Sequence, residues 1–339
     1  MNISTTRITE QEIRPAQVMA EQRVAAVIDV GRMLSRCAEF VVVGCPACGS
    51  EDSRPRFEKN SIKYVDCLRC RTFYVNPRPT PDVLEWFYRG SPNYAYWNKV
   101  IFPASEGARH QKIFVPRVDN LLELCRKYSV GMDALLEVGA GFGTFCAEVK
   151  SRHVFARVVA VEPTPDLAQT CRIRGLEVLE KPVEQLQLDH STSFDVVASF
   201  EVIEHLFAPK EFVGHAARLL KPGGLLILTC PNGEGFDVET LGTASNTVDH
   251  EHLNYFSPAS LAGLLESCGL EVLESFTPGQ LDAELVRNKI LAGEFDVSTQ
   301  PFLKKILVEG WDRFGEPFQQ FLIGQGLSSN MWLVARQRR

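Results

Sequence analysis

Residues 135–145 read LLEVGAGFGTF. A short apolar run carries one acid, Glu137, and then breaks into glycines at every second position: Gly139, Gly141 and Gly143, with Ala140 between the first two. Glycine tolerates positive φ and close backbone approach, so this spacing dictates a tight bend between a strand and the helix after it. Bends of that kind cradle ligands at the carboxyl ends of parallel strands. The spacing is not the dinucleotide fingerprint G-x-G-x-x-G, because the sixth position is Thr144 counted from Gly139 and Cys146 counted from Gly141. The loop therefore suits a ligand without a pyrophosphate.

The texture around the loop fixes the fold class. ALLEV (134–138), RVVAVE (157–162), LEVLE (176–180), FDVVASF (194–200) and GLLILTC (224–230) are short apolar, β-branched runs, several of them separated by helical segments. That alternation predicts an α/β fold with a doubly wound parallel sheet covered on both faces. LEVLESF (270–276) and NMWLVARQ (330–337) add two late strands. Between them, QLDAELVRNKILAGEF and PFLKKILVEGWDRF read as helices, long for a connection and suited to a lid or a dimer element. The expected divisions are an N-terminal helical extension (1–42), a cysteine module (43–81), a helical linker (82–130), the sheet-forming core (131–276) and a helical insertion with the last strand (277–339). In the extension, apolar positions such as Val18, Val24, Val27, Ile28, Met33 and Leu34 follow helical spacing, and Pro15 suits a first helical turn. They predict an amphipathic helix packed on the rest of the chain or on a second subunit.

CPAC (45–48) and CLRC (67–70) give C-x2-C-x18-C-x2-C. Two such turns present four thiolates, Cys45, Cys48, Cys67 and Cys70, in the tetrahedron that zinc prefers. Gly49 supplies the permissive backbone of the first knuckle. Four thiolates fill the coordination sphere, so the zinc is expected to be structural, folding a segment poor in core residues. The other six cysteines lie in apolar or helical patterns and read as small buried residues.

Charge and hydropathy exclude some classes. The chain has 36 Lys and Arg against 42 Asp and Glu, a net charge of −6, which makes it a poor general binder of phosphate backbones. No run of about 18 apolar residues suggests a membrane span. The N-terminal residues are polar and lack the apolar centre of a secretion signal, so a cytoplasmic location is expected.

The glycine loop resembles the first motif of class I S-adenosylmethionine (SAM) dependent methyltransferases. The likeness extends over about residues 131–276. VVAVEP places Glu162 nineteen residues beyond Gly143, and FDVVASFEVIEHLFAPKEFVGHAARLLKPGGLLILTCPN (194–232) resembles the family's fourth-strand, helix and fifth-strand block. In that block Pro222, Gly223 and Gly224 read as a turn before the fifth strand. The resemblance implies a Rossmann-like methyltransferase sheet in which Glu137 and the Gly139–Ala140–Gly141–Gly143 loop hold the methionine end of SAM. By the same resemblance Glu162 takes the ribose hydroxyls, KPVEQL (181–186) meets adenine, and Phe200 and Glu201 line the methyl-transfer face.

VDHEHLNYFSP (248–258) follows the fifth strand and precedes a helix with Ser257 as N-cap, Pro258 in its first turn and Gly269 as its stop. Histidine titrates near neutrality and suits proton removal from a weak acceptor. His205 in EVIEHL is expected at the start of the helix after the fourth strand, facing the same cleft. The expectation is that His252 or His250 takes a proton from the acceptor, Glu251 or Tyr255 orients it, and His205 assists. His110, His153, His190 and His215 have no special placement. A second metal at His250 and His252 is not expected, because an H-x-H pair lacks further obvious ligands.

With the cysteine module, this layout resembles bacterial methyltransferases that carry an N-terminal zinc-binding module, including sugar C-methyltransferases acting on nucleotide-linked keto-sugars. Those carry a second full α/β domain after the core, whereas only about sixty residues remain here. The expected function is SAM-dependent methyl transfer to a small molecule, of sugar type. The alternatives are an RNA methyltransferase, against which the acidic charge and lack of a long basic stripe argue, and a non-catalytic SAM-binding partner subunit, against which the intact loop and acids argue.

Overall fold

A computed structural model of the chain describes residues 8–186 and 193–338. Its strands are β1 (Ser53–Lys59), β2 (Ile62–Cys67), β3 (Phe73–Val75), β4 (Ala134–Val138), β5 (Arg157–Val161), β6 (Glu177–Leu179), β7 (Phe194–Phe200), β8 (Leu220–Pro231), β9 (Asn254–Tyr255), β10 (Leu270–Phe276) and β11 (Asn330–Gln337). Seven form one sheet in the order β10-β11-β8-β7-β4-β5-β6. The pairs β4–β5, β4–β7, β5–β6 and β7–β8 are parallel, while β11 runs antiparallel to both of its neighbours. From β4 the chain moves first to one side, to β5, and later to the other, to β7. The crevice at the carboxyl end of β4 is therefore the switch point, where open α/β sheets bind ligands.

Burial explains why the runs read as nearly continuous apolar segments. Leu135, Val196, Ala198 and Ile227 enter the core on one face of the sheet. Leu136, Val138, Val197 and Leu228 enter the core on the other. Both faces are covered by helices, so alternation between apolar and polar residues disappears.

The turn expected at Pro222–Gly224 lies instead inside β8. Phe194 pairs with Leu220 and Val196 with Leu225, so an irregularity in the ladder absorbs the intervening residues. Gly223 has φ +83. A Cβ on Gly224 would lie 2.9 Å from the Asp195 carbonyl oxygen, and the close approach of the neighbouring strand demands glycine.

The N-terminal extension also differs in detail. Pro15 ends a short turn, Glu10–Ile13, and precedes the helix Ala16–Ser35 instead of lying within one helix. That helix buries Ala25, Asp29 and Met33, whereas Val24, Val27 and Ile28 are exposed. The face chosen for packing carries a buried aspartate, which an apolar pattern cannot reveal.

The cysteine module forms a second, antiparallel sheet, β1-β2-β3-β9. Its fourth strand comes from the segment after β8: Phe73 pairs with Tyr255 and Tyr74 with Asn254. Around it Met33, Tyr64, Phe73, Val83, Phe87 and Tyr255 make a separate small core. The insertion is helical at Asp282–Leu291, Pro301–Lys304 and Trp311–Gly324. Among the described residues no helix is long and apolar enough to cross a membrane.

Candidate active site

A cleft of about 1950 Å³ opens at the switch point. Its floor is the glycine loop. Gly139, Gly141 and Gly143 have φ of +79, +56 and +70. Added Cβ atoms would strike Val202 Cγ2 at 2.4 Å from Gly139 and Leu176 Cδ1 at 2.6 Å from Gly143. At Gly141 a Cβ would meet nothing within 4 Å, because that position faces the cleft. The backbone N–H groups of Gly139 and Ala140 donate to the Val161 carbonyl at 2.9 and 3.1 Å, so the loop is tied to the tip of β5.

Two acids flank this bend. Glu162 is buried; its Oε2 accepts from Gly141 N at 2.8 Å and its Oε1 from Thr164 N at 2.9 Å. Burial raises its pKa above the ordinary carboxylate value despite those bonds. Glu137, inside β4, is 3% exposed and its Oε2 has no hydrogen-bond partner among the described residues. Burial pushes its pKa to about 8. A buried carboxylate oxygen left without a partner beside a glycine cradle fits a ligand with an ammonium group, and SAM carries one on its methionine end.

Arg117, which sequence reasoning missed, lines the same wall. Its guanidinium lies 4.3 Å from the Phe200 ring centroid. Only its place in a helical pattern was legible, not what the helix faces. Phe200 also packs edge-on against Phe145, with ring centroids 4.7 Å apart. Glu201 adopts φ +57, and its Oε1 accepts from Thr229 Oγ1 at 2.6 Å and Asn330 Nδ2 at 2.9 Å. Pro182 and Gln185 border the cleft where adenine was expected; the side chain of Glu184 lies outside what is described.

The histidines gather at the other end. His205 sits in a short turn, Ile203–His205, ahead of the helix Pro209–Arg218 rather than at its start. Its ring centroid is 4.7 Å from that of His252. His205 Nδ1 lies 3.1 Å from the Glu251 carbonyl oxygen, and His252 Nδ1 lies 2.8 Å from the Thr247 carbonyl oxygen. A carbonyl only accepts, so in both rings Nδ1 carries the proton and Nε2 keeps its lone pair. Burial, helped by the nearby His252, lowers the pKa of His205 to about 3. Burial lowers that of His250 as well. Both are neutral imidazoles near pH 7.

Three acids share this end. Glu204 is 1% exposed, and neither carboxylate oxygen has a hydrogen-bond partner among the described residues. Burial and then Glu201 raise its pKa well above the ordinary value. Glu251 accepts from Asn93 Nδ2 at 2.6 Å, and burial followed by Asp249 raises its pKa to about 7. Asp249 Oδ1 accepts from the backbone N–H groups of Glu251 and His252, both at 2.9 Å, which sets the bend of the loop.

Tyr255 is not part of this wall. It is 1% exposed and stacks on Phe73 with centroids 4.1 Å apart. Its hydroxyl accepts from Asp249 N at 3.1 Å. It packs the second sheet and holds the loop, because strand pairing with β3 turns the side chain away from the cleft. The expectation that it orients the acceptor is corrected accordingly. Tyr88, whose hydroxyl is 3.2 Å from His205 Nδ1, stands on the wall instead. His110 pairs with Glu148 at 2.9 Å, away from the other histidines, and His190 lies outside the described residues.

In the cysteine module, Cys45 and Cys70 have their sulfurs 3.5 Å apart, and Cys48 and Cys67 3.6 Å apart. All four sulfurs lie within 4.8 Å of one another. The two knuckles are alike. Gly49 N donates to Cys45 O at 2.8 Å and Arg71 N to Cys67 O at 3.1 Å, with φ of +72 at Gly49 and +66 at Arg71.

A parallel sheet with one reversed strand, a triple-glycine bend at its switch point and an acid at the tip of the adjoining strand together define a Rossmann-like fold of the kind class I SAM-dependent methyltransferases have. Residues 109–275 match the family model described as a methyltransferase domain. The ubiquinone biosynthesis O-methyltransferase of Xanthomonas oryzae pv. oryzae (strain PXO99A) is 31% identical over 151 residues, 41% of this chain and 62% of that protein. Its counterpart in Xylella fastidiosa (strain M23) is 28% identical over 166 residues, 44% of this chain and 65% of that protein. The chain thus matches less than two thirds of the length of either relative. A solved SAM-dependent methyltransferase from Clostridium acetobutylicum ATCC 824 aligns with 11% identity over 72% of this chain and 99% of that one, at a TM-score of 0.48.

Proposed function

We propose that the protein transfers the SAM methyl group to a small-molecule acceptor of sugar type, with His252 receiving the acceptor's proton and His205 assisting beside it. Bound SAM supplies a methyl group already activated by its positive sulfur, so the chain must position the acceptor and handle one proton. The observation that carries this reading is the pair of adjacent imidazoles whose Nδ1–H groups are committed to backbone carbonyls, leaving Nε2 of His252 as the proton acceptor. The curated relatives are named as O-methyltransferases, and a hydroxyl is an acceptor that needs such a base. Glu251, held by Asn93, orients the acceptor. Glu137 receives a cationic group, the glycine loop makes room for it, and Glu162 accepts from hydroxyls at the tip of β5 while Phe200 and Glu201 border the transfer face. The polar end of the cleft, with three acids, histidines and Tyr88, supports a hydroxyl-rich acceptor. The four cysteines hold a structural zinc ion, for which their sulfur separations are suited.

The test is incubation with SAM labelled in the methyl group against a panel of nucleotide-linked sugars and RNA, followed by single His205→Asn, His250→Asn and His252→Asn variants. Label is expected in a sugar. Turnover should fall by about 10²–10⁴ in His252→Asn and by less in His205→Asn, with SAM affinity retained. Label in RNA, or three variants that all turn over normally, would overturn the reading.

A further inference from the structure

His250 and His252 flank Glu251, and in sequence no further ligand stands near enough to complete a metal site. The fold brings one from far away. Helix Ala16–Ser35 presents Asp29, which is 0% exposed, to the loop that carries His250. One donor atom each from Asp29, His250 and Glu251 lies within 4.8 Å of the other two. His250 Nε2 is 3.8 Å from Glu251 Oε1.

Two of these groups end in buried atoms that no hydrogen bond among the described residues satisfies. Neither His250 Nε2 nor Asp29 Oδ1 has a hydrogen-bond partner among the described residues, and the His250 side chain is 6% exposed. A buried orphan of this kind costs about 1–3 kcal/mol, so two in one small group ask for a shared partner. The remaining atoms are already oriented. Asp29 Oδ2 accepts from Ser91 Oγ and, at 3.0 Å, from Asn93 N. Asn93 Nδ2 donates to Glu251 Oε1 at 2.6 Å, and Asn93 Oδ1 accepts from Gln22 Nε2 at 2.9 Å. Asn93 thus fixes both carboxylates, as outer partners of metal ligands do. Arg32 Nε is 3.7 Å from Asp29 Oδ1, too far for a hydrogen bond, with its guanidinium 4.7 Å from the Trp86 ring centroid.

We propose that Asp29, His250 and Glu251 bind a divalent first-row transition cation, zinc or manganese, separately from the ion of the four cysteines. One imidazole nitrogen with two carboxylates favours such cations over magnesium or calcium. His250 and Glu251 also border the cleft, so water can fill the open positions. The ion joins the N-terminal helix to the loop beside His252 and holds Glu251 in place. Its binding does not depend on which acceptor the cleft takes.

The full-length protein is equilibrated with Zn²⁺, freed of excess metal, and its metal content per chain measured by mass spectrometry. The parent is expected to hold two ions, and Asp29→Asn, His250→Gln and Cys67→Ser one each. With Co²⁺, the cysteine ion gives thiolate charge-transfer absorption. The second ion gives only weak visible bands, which Asp29→Asn removes while the thiolate band stays, and that band also reports that the variant has folded. Glu251→Gln provides a second variant should Asp29→Asn fail to fold. A parent that binds one ion, unchanged by Asp29→Asn, overturns the proposal. So does a second ion that Asp29→Asn leaves in place and Glu204→Gln removes, since it would then sit among Glu204, His205 and His252.

Discussion

Glu137 shows how much one buried side chain can determine. Its pKa of about 8 means that without a ligand it is protonated at neutral pH. The folded value lies above the unfolded one, so its contribution to stability is full below about pH 4.5 and is lost as pH rises through about 8. The ligand-free protein should therefore lose thermal stability across that window, and Glu137→Gln should show a shallower loss. Glu162, Glu204 and Glu251 are raised in the same direction and keep part of the slope. A cationic ligand takes the ionised form, so SAM affinity should rise up to about tenfold per pH unit below pH 8. Titration calorimetry between pH 6 and 9 checks this. A pH-independent affinity that Glu137→Gln does not change would mean that the carboxylate does not meet the ligand.

At the scale of elements, the second sheet and the histidine loops are joined by one arginine. Arg78 is 1% exposed and donates to the carbonyls of Val75 at 3.2 Å, Phe207 at 3.1 Å and Leu253 at 3.3 Å, and to Asn254 Oδ1 at 3.0 Å. Asn254 in turn donates to the carbonyls of Ile203 and Leu206 at 3.1 and 2.7 Å. The turn holding His205 and the strand after His252 are thereby held against β3. Arg78→Met should orphan several buried carbonyls and cost about 3 kcal/mol. It should also lower kcat while leaving SAM affinity near its parent value, because no part of the glycine loop touches it. Denaturant unfolding and calorimetry separate the two effects, and equal losses of kcat and SAM affinity would count against a role confined to the loops. What the sequence discloses follows from the same geometry. The glycine bend, the cysteine pairs and the strand runs are local patterns, so their chemistry can be read along a few residues. Arg78 with Leu253, Asn93 with Glu251, and Asp29 with His250 are separated by more than 150 residues in each case, and no periodicity links them. Tyr255 reads as a site residue because of its neighbours in sequence, whereas its place is set by strand pairing.

At the scale of the whole molecule, the smaller and the larger sheet divide the labour. The core around the second sheet is small and aromatic, built on Phe73, Tyr64, Tyr255 and Phe87, and its two knuckles have few apolar residues of their own. Ordering them takes about 1–2 kcal/mol per residue in backbone entropy, which four thiolate–zinc bonds can offset. The glycine loop, Glu137 and Glu162 rest on the larger sheet, whereas β9, next in sequence to the loop of His250 and His252, pairs with β3 of the module that a zinc ion would brace. Loss of the cysteine-bound ion should therefore separate cofactor binding from turnover. Cys67→Ser is expected to keep SAM affinity within about threefold and to lose turnover by more than about tenfold. Its thermal unfolding should gain an early transition as the smaller sheet melts ahead of the larger one. Calorimetry, a turnover assay and differential scanning of the same preparation decide the matter. A variant that turns over like the parent would mean that the loop keeps its shape without the module, and one that no longer binds SAM would mean that the two sheets fold as a single cooperative block.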